Sequence, residues 1–241
     1  MKTFITEHKI PKNKIGTVIL LLQFVLIVLL LVGMKVFLKD SLRAFVESIK
    51  QNNLKTNLIY LAVFTLIYIA AIVVHELIHG FFFARYNISG WKGVKFGIIP
   101  KMMAAYATTQ EPLEVRQFRI VILMPTLLLG IIPLIIAFIT GNFYIFMFAF
   151  FMILGGTGDF AVLWFIRKLN SRQLIIDHPK TLGYFSVENF HPDELIEIQQ
   201  KIKELTEDEK PKKMSKKDYL IIIGSFLIGI IFALIFKQFL K

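Results

Sequence analysis

Leu58–Phe83 reads LIYLAVFTLIYIAAIVVHELIHGFFF, and its reading decides the fold. At 1.5 Å per residue it makes about 39 Å of helix, enough to cross a hydrocarbon core of about 30 Å. Such a span avoids ionisable groups, because each costs several kcal/mol in hydrocarbon unless it is paired, hydrated or bound to something. This one carries three of them in five residues, at His75, Glu76 and His79. The stretch is therefore both a membrane helix and the place to look for chemistry.

Four further segments share the apolar pattern: Ile15–Leu38, Phe118–Ile139, Phe143–Phe165 and Tyr219–Phe239. Together they predict an all-α polytopic membrane protein with about five transmembrane helices. Composition agrees, since 241 residues are 56% hydrophobic and 19% charged, with 24 phenylalanines and no cysteine. A soluble globule of this length has too small a core to hide so much apolar surface. A cytosolic enzyme, a disordered chain and a disulfide-stapled secreted domain are excluded, as is any cysteine chemistry.

The net charge of +11 comes largely from lysines that flank apolar runs, such as Lys9, Lys12 and Lys14, then Lys210, Lys212, Lys213, Lys216 and Lys217. Flanks of this kind set topology and attract anionic lipid head groups, so the partner they imply is the bilayer and not nucleic acid. The first segment is too long for a secretory signal and is followed by Lys35 and Lys39, so it reads as a retained anchor. Basic residues at the amino terminus and in Arg167–Asp218, against their absence from Thr140-Gly141-Asn142, place the amino terminus in the cytoplasm. Lys39, Arg43, Lys50 and Lys55, between the first two helices, run against that orientation. The expected location is integral to the membrane, multi-pass, in a bacterial cell membrane.

Two polar stretches stand between the helices. In Asn87–Pro112, Val94–Ile99 and a second strand near Ala104–Thr108 predict a β-hairpin at the membrane surface. Farther on, Pro192 opens a short cytoplasmic helix with Leu195, Ile198, Ile202 and Leu205 on one face. A charged linker, Glu207–Lys217, leads to the last helix. The whole chain reads as one membrane domain, with residues 58–184 as its chemical core, 185–218 as helix and linker, and 219–239 as the last crossing.

Away from helix ends, four ionisable groups lie in the apolar segments: His75, Glu76, His79 and Asp159. A spacing of four puts both histidines on one helical face, so both imidazoles can reach a single ion. Zinc fits that pair, and Glu76 is placed to hold the attacking water and take its proton. A catalytic zinc has three protein ligands and one open position. Asp159 is the candidate third ligand on depth. From His79 to Arg85 is about 9 Å of helix, and from Asp159 to Arg167 about 12 Å, at the same face of the membrane. Gly155, Gly156 and Gly158 beside it let helices approach closely. Gln23, alone in the first helix, predicts an interhelical hydrogen bond.

The transmembrane His75-Glu76-Leu77-Ile78-His79, the hairpin after it and an aspartate beside glycine in a later helix resemble the site-2-protease group of intramembrane zinc metalloproteases. The chain is still more similar to the putative zincin peptidases, through His75–Gly80, Gly158-Asp159 and Asp177-His178-Pro179. The resemblance implies zinc at His75, His79 and Asp159, Glu76 as general base, and metalloendopeptidase cleavage of transmembrane or membrane-bound protein substrates. Two positions depart from the site-2-protease pattern. Asp159 is followed by Phe160 and not glycine, and no asparagine precedes Pro125, which leaves Thr126 or a backbone amide for the oxyanion. His178 reads either as a substrate-side group or as part of a turn fixed by Asp177 and Pro179. Two other functions stay open: a pseudoprotease that binds a partner helix or senses metal, and a zinc-dependent membrane hydrolase of non-peptide substrates.

Overall fold

The computed structural model describes residues 3–10, 12–99, 104–179 and 183–207. The expected crossing Tyr219–Phe239 and most of the charged linker lie outside them. Helix α1 (Lys12–Phe37) is followed by α2 (Lys39–Gln51) and α3 (Leu54–Tyr86). After the hairpin come α4 (Val115–Thr126) and α5 (Ile132–Thr140), joined through a π-helical turn at Leu127–Ile131. Next are α6 (Phe143–Gly155), α7 (Thr157–Ile166) and, after two strands, α8 (Leu195–Glu207). Among the described residues, three spans are long and apolar enough to cross a membrane: Gly16–Phe37, Leu54–Tyr86 and Val115–Thr140. The pair α6–α7 makes a fourth if its bent halves count as one.

That bend corrects the reading of Phe143–Phe165 as one helix. The two halves meet at 42°. Gly155 and Gly156 sit at the break, and a Cβ on Gly156 would lie 2.2 Å from the Thr126 hydroxyl of α4. Tight approach and low helix propensity thus coincide at one point. The segment α2 has Leu42 and Val46 buried, while Asp40, Arg43, Glu47 and Lys50 stay exposed. The Ser41 hydroxyl bonds the Gly141 carbonyl, and Phe45 packs on Phe143 and Tyr144. Beneath it, Leu30, Met34, Leu38, Ala137, Phe146 and Phe150 form the core between α1, α5 and α6.

The all-α expectation is incomplete, because two small sheets accompany the helices. The anticipated hairpin is present as β2 (Val94–Ile99) and β3 (Ala104–Thr109), with Phe96 opposite Ala107. The second sheet was not anticipated. It has the order β1-β6-β5-β4, from β1 (Phe4–Lys9), β4 (Leu113–Glu114), β5 (Leu174–Asp177) and β6 (Gly183–Glu188), and every pairing is antiparallel. Its strands are short, and its faces are covered by different partners. Ile176, Phe185 and Val187 pack on Ile198 and Ile202 of α8, while Ile175 packs with Leu113, Val115 and Phe83 below the helix ends. On α8, Ile198 and Ile202 are buried as the amphipathic pattern predicts, but Leu205 is 53% exposed and Thr206 is buried in its place.

Asp177 is the last residue of β5 in this sheet, and His178-Pro179 follow it directly. The His178 backbone N–H donates to the Gly183 carbonyl, and its ring stacks on Phe185 and donates from Nε2 to Glu7 Oε1 at 2.7 Å. Burial pushes the Glu7 carboxyl up, but the hydrogen bonds from His178 and Lys9 outweigh it and hold the group below the usual carboxylate range. His178 thus ties β1 to the sheet. Gly183 lets the strands meet, since a Cβ there would lie 2.3 Å from the His8 carbonyl oxygen. Backbone cannot yield as a flexible side chain can. Gly183→Ala is therefore expected to cost about 1–3 kcal/mol, read as faster hydrogen exchange in β1 than in β5.

Candidate metal centre

Two turns at the end of α3 bring the first groups together. His75 and His79 face the same way, with ring centroids 4.9 Å apart. From α7, Asp159 reaches both: its Oδ2 lies 3.1 Å from His75 Nε2 and 3.5 Å from His79 Nε2. One ligand atom from each of the three falls within 4.8 Å of the others. Side-chain exposures of 12%, 7% and 21% for His75, His79 and Asp159 leave the carboxylate the most accessible of the three.

The geometry can be tested against zinc. Four ligands at about 2.0–2.1 Å in a tetrahedron are separated by about 3.3–3.4 Å. The two nitrogen–oxygen separations, 3.1 and 3.5 Å, bracket that edge. The second shell agrees as well. His79 Nδ1 is 3.0 Å from the Val121 carbonyl of α4, to which it donates a hydrogen bond. That bond fixes the tautomer and leaves the Nε2 lone pair free for a cation. Two neutral imidazole nitrogens and one carboxylate oxygen therefore fit zinc.

The supporting shell comes from four directions. Arg119 of α4 donates from one terminal nitrogen to the carbonyls of Ile166, Arg167 and Leu169, capping α7 and setting its height. Gln23 of α1 donates to Thr157 Oγ1 at 3.3 Å, the interhelical bond its isolation suggested. The hairpin lies directly on the motif helix: a Cβ on Gly80 would sit 2.3 Å from Phe96 Cζ, so a glycine after His79 lets β2 dock. Half-buried Glu76 also faces the hairpin, near the Ala107 backbone amide of β3.

Thr126 is fully buried, with its hydroxyl against Gly156 and without a hydrogen-bond partner among the described residues. His178 is not one of the converging groups. Asp177, its neighbour, faces the hairpin: the Thr108 hydroxyl donates to its Oδ2 at 2.5 Å. Burial pushes the Asp177 carboxyl up to about 6, against the lowering effect of the bonds from Thr108 and the His178 amide. Val121, Ala107 and Thr108 are functional neighbours that sequence reasoning missed. Two of them act through backbone atoms, which leave no signature in side-chain identity.

A search of curated proteins finds no significant match to this chain, and neither does a search of solved structures. A family model does match. Its boundaries include both histidines, Glu76, the hairpin and Asp159, and stop just short of Asp177-His178-Pro179. Residues 68–174, with every group that converges on the candidate metal centre, match the family described as putative zincin peptidase.

Proposed function

We propose that the protein is an intramembrane zinc metalloprotease that cuts transmembrane or membrane-bound protein substrates near the cytoplasmic face. One observation carries the reading: Asp159 of the bent pair α6–α7 comes within 3.1 and 3.5 Å of His75 and His79, on a helix long and apolar enough to cross a membrane, and one ligand atom from each lies within 4.8 Å of the others. The family match supports the peptidase class.

His75 Nε2, His79 Nε2 and one Asp159 oxygen would hold the ion, leaving a position open. Zinc, when bound, polarises the scissile carbonyl and brings the pKa of water down to about 7. Glu76 takes the proton of the attacking water and later gives it to the leaving nitrogen. Val121 holds His79 in the tautomer that offers Nε2. The lipid bilayer is the other partner, with the basic flanks at its anionic head groups.

Metal content tests the site directly. The full chain, purified in detergent from zinc-containing medium, is expected to carry about one zinc per molecule, and chelation is expected to abolish cleavage of a model transmembrane substrate until zinc is restored. A purified chain that holds no metal overturns the reading.

A further inference from the structure

Within a helix a proline carries no N–H, so the bond to the carbonyl four residues back cannot form. Helix α4 has its proline at Pro125, and the carbonyl four residues back is that of Val121. Both residues are buried. In an apolar span no water reaches such a carbonyl, and a neighbouring helix has to supply the donor. α3 does so: His79 Nδ1 lies 3.0 Å from the Val121 oxygen, in a buried contact. The proline ring also crowds that same carbonyl and turns it off the helix axis. Contacts on either side hold the helices at this height. One turn along, the Phe83 ring of α3 packs on Phe118 of α4, with 6.0 Å between centroids. Beyond the proline, Thr126 lies against Gly156, three residues before Asp159.

We infer that Pro125 is a positioning residue for His79: lacking an N–H, it reserves the Val121 carbonyl for the imidazole. A carbonyl oxygen only accepts, so the hydrogen stays on Nδ1 and the Nε2 lone pair is left on the side of the Asp159 oxygen, 3.5 Å away. The consequence for zinc rests on the metal reading proposed above; the consequence for the ring does not. An amide at position 125 would draw the Val121 oxygen back into the helical ladder. A retreat of about 0.5 Å carries the contact with His79 past the usual N–H···O range. The imidazole would then be free to turn or to change tautomer. One bond thus meets two needs: a carbonyl without its helical donor is satisfied, and a ring that is to bind metal is held in one orientation.

The full chain in detergent is compared with Pro125→Ala, which restores the N–H, and with Pro125→lactic acid, an ester shaped like alanine but without the N–H. Alanine is the better helix former, so the helix itself is not at risk. In the metal-free chain carrying labelled histidine, NMR reads the exchange of the His79 Nδ1 proton with solvent. That exchange is expected to quicken about tenfold in Pro125→Ala and to keep its wild-type rate in the ester. Zinc affinity, measured by competition with a chelator, should fall about tenfold in Pro125→Ala and hold in the ester. Unchanged Nδ1 exchange in Pro125→Ala overturns the inference. Equal acceleration in the ester overturns it too, because the ring and not the missing donor would then be what acts. If the wild-type chain binds no zinc, the metal reading fails, while Nδ1 exchange still decides the role of Pro125.

Discussion

Glu76→Gln lowers hydrolysis of a transmembrane substrate by about three orders of magnitude and leaves the zinc content at its wild-type level. That is the expected result, and its size follows from what the substitution removes. General base catalysis contributes about 10²–10⁴ in rate, and an amide has no basic lone pair to take a proton from water at neutral pH. Everything else is kept. Gln has the same length and keeps an acceptor oxygen, so its fit beside the hairpin is preserved. The ligand atoms belong to His75, His79 and Asp159, none of which is touched. Rate and metal content measured on the same preparation thus separate chemistry from architecture. A variant that cuts as fast as wild type would remove Glu76 as the base. If the fold instead serves as a binding or sensing module, Glu76→Gln has no functional effect while His75→Ala does.

Asp159→Ala is expected to have the second largest effect, a drop in bound zinc from about one per chain to below about a tenth after dialysis. Loss of an outer partner of a metal ligand already weakens binding about 10–100-fold, and loss of a ligand exceeds that. Two histidines one helical turn apart remain, which is too few for a closed structural set and fewer than catalytic zinc sites use. Asp159 also stands 3.1 Å from His75 Nε2 and 3.5 Å from His79 Nε2, so its removal leaves the His75 ring without this partner in an apolar span. Metal content by elemental analysis decides the matter, with His79→Ala as the reference for a lost ligand. Full retention of zinc by Asp159→Ala would mean that the third ligand lies elsewhere.

The candidate site was legible in the sequence because the background is so apolar. His75, Glu76 and His79 stand out within Leu58–Phe83, and helix arithmetic alone puts Asp159 at a similar height. The structure brings three of the four within 4.8 Å and places the hairpin against the fourth. The resemblance to zincin peptidases rested on these residues and on Asp177-His178-Pro179, and the family match covers the first group and stops short of the second. Long apolar runs made α1, α3 and the span from Val115 to Thr140 equally plain.

The parts that escaped did so for physical reasons. Strand β4 is two residues long and β5 is four, too short for an alternation to declare itself. β1, with the sequence FITEHK, has the polarity of a loop, and pairs with a strand far along the chain. Nothing local specifies that partner. The bend between α6 and α7 was hidden because apolar residues run across it, although Gly155 and Gly156 mark the point. Ala107 and Val121 contribute peptide groups, which every residue has, so only folding shows which of them matter.

The edge position of β1 carries a consequence for the order in which the molecule can be made. Glu7 meets His178, 171 residues later, and Phe4 pairs with Glu188. During synthesis the first strand emerges long before its neighbour, and it has to wait beside the growing chain while α1 to α7 are made. The rest of the sheet, β6-β5-β4, does not need β1 in order to pair. Closing so long a loop is the slowest kind of contact to form. The amino-terminal strand is therefore the last piece to lock, a clasp fastened after the groups around His75 and Asp159 have already been gathered.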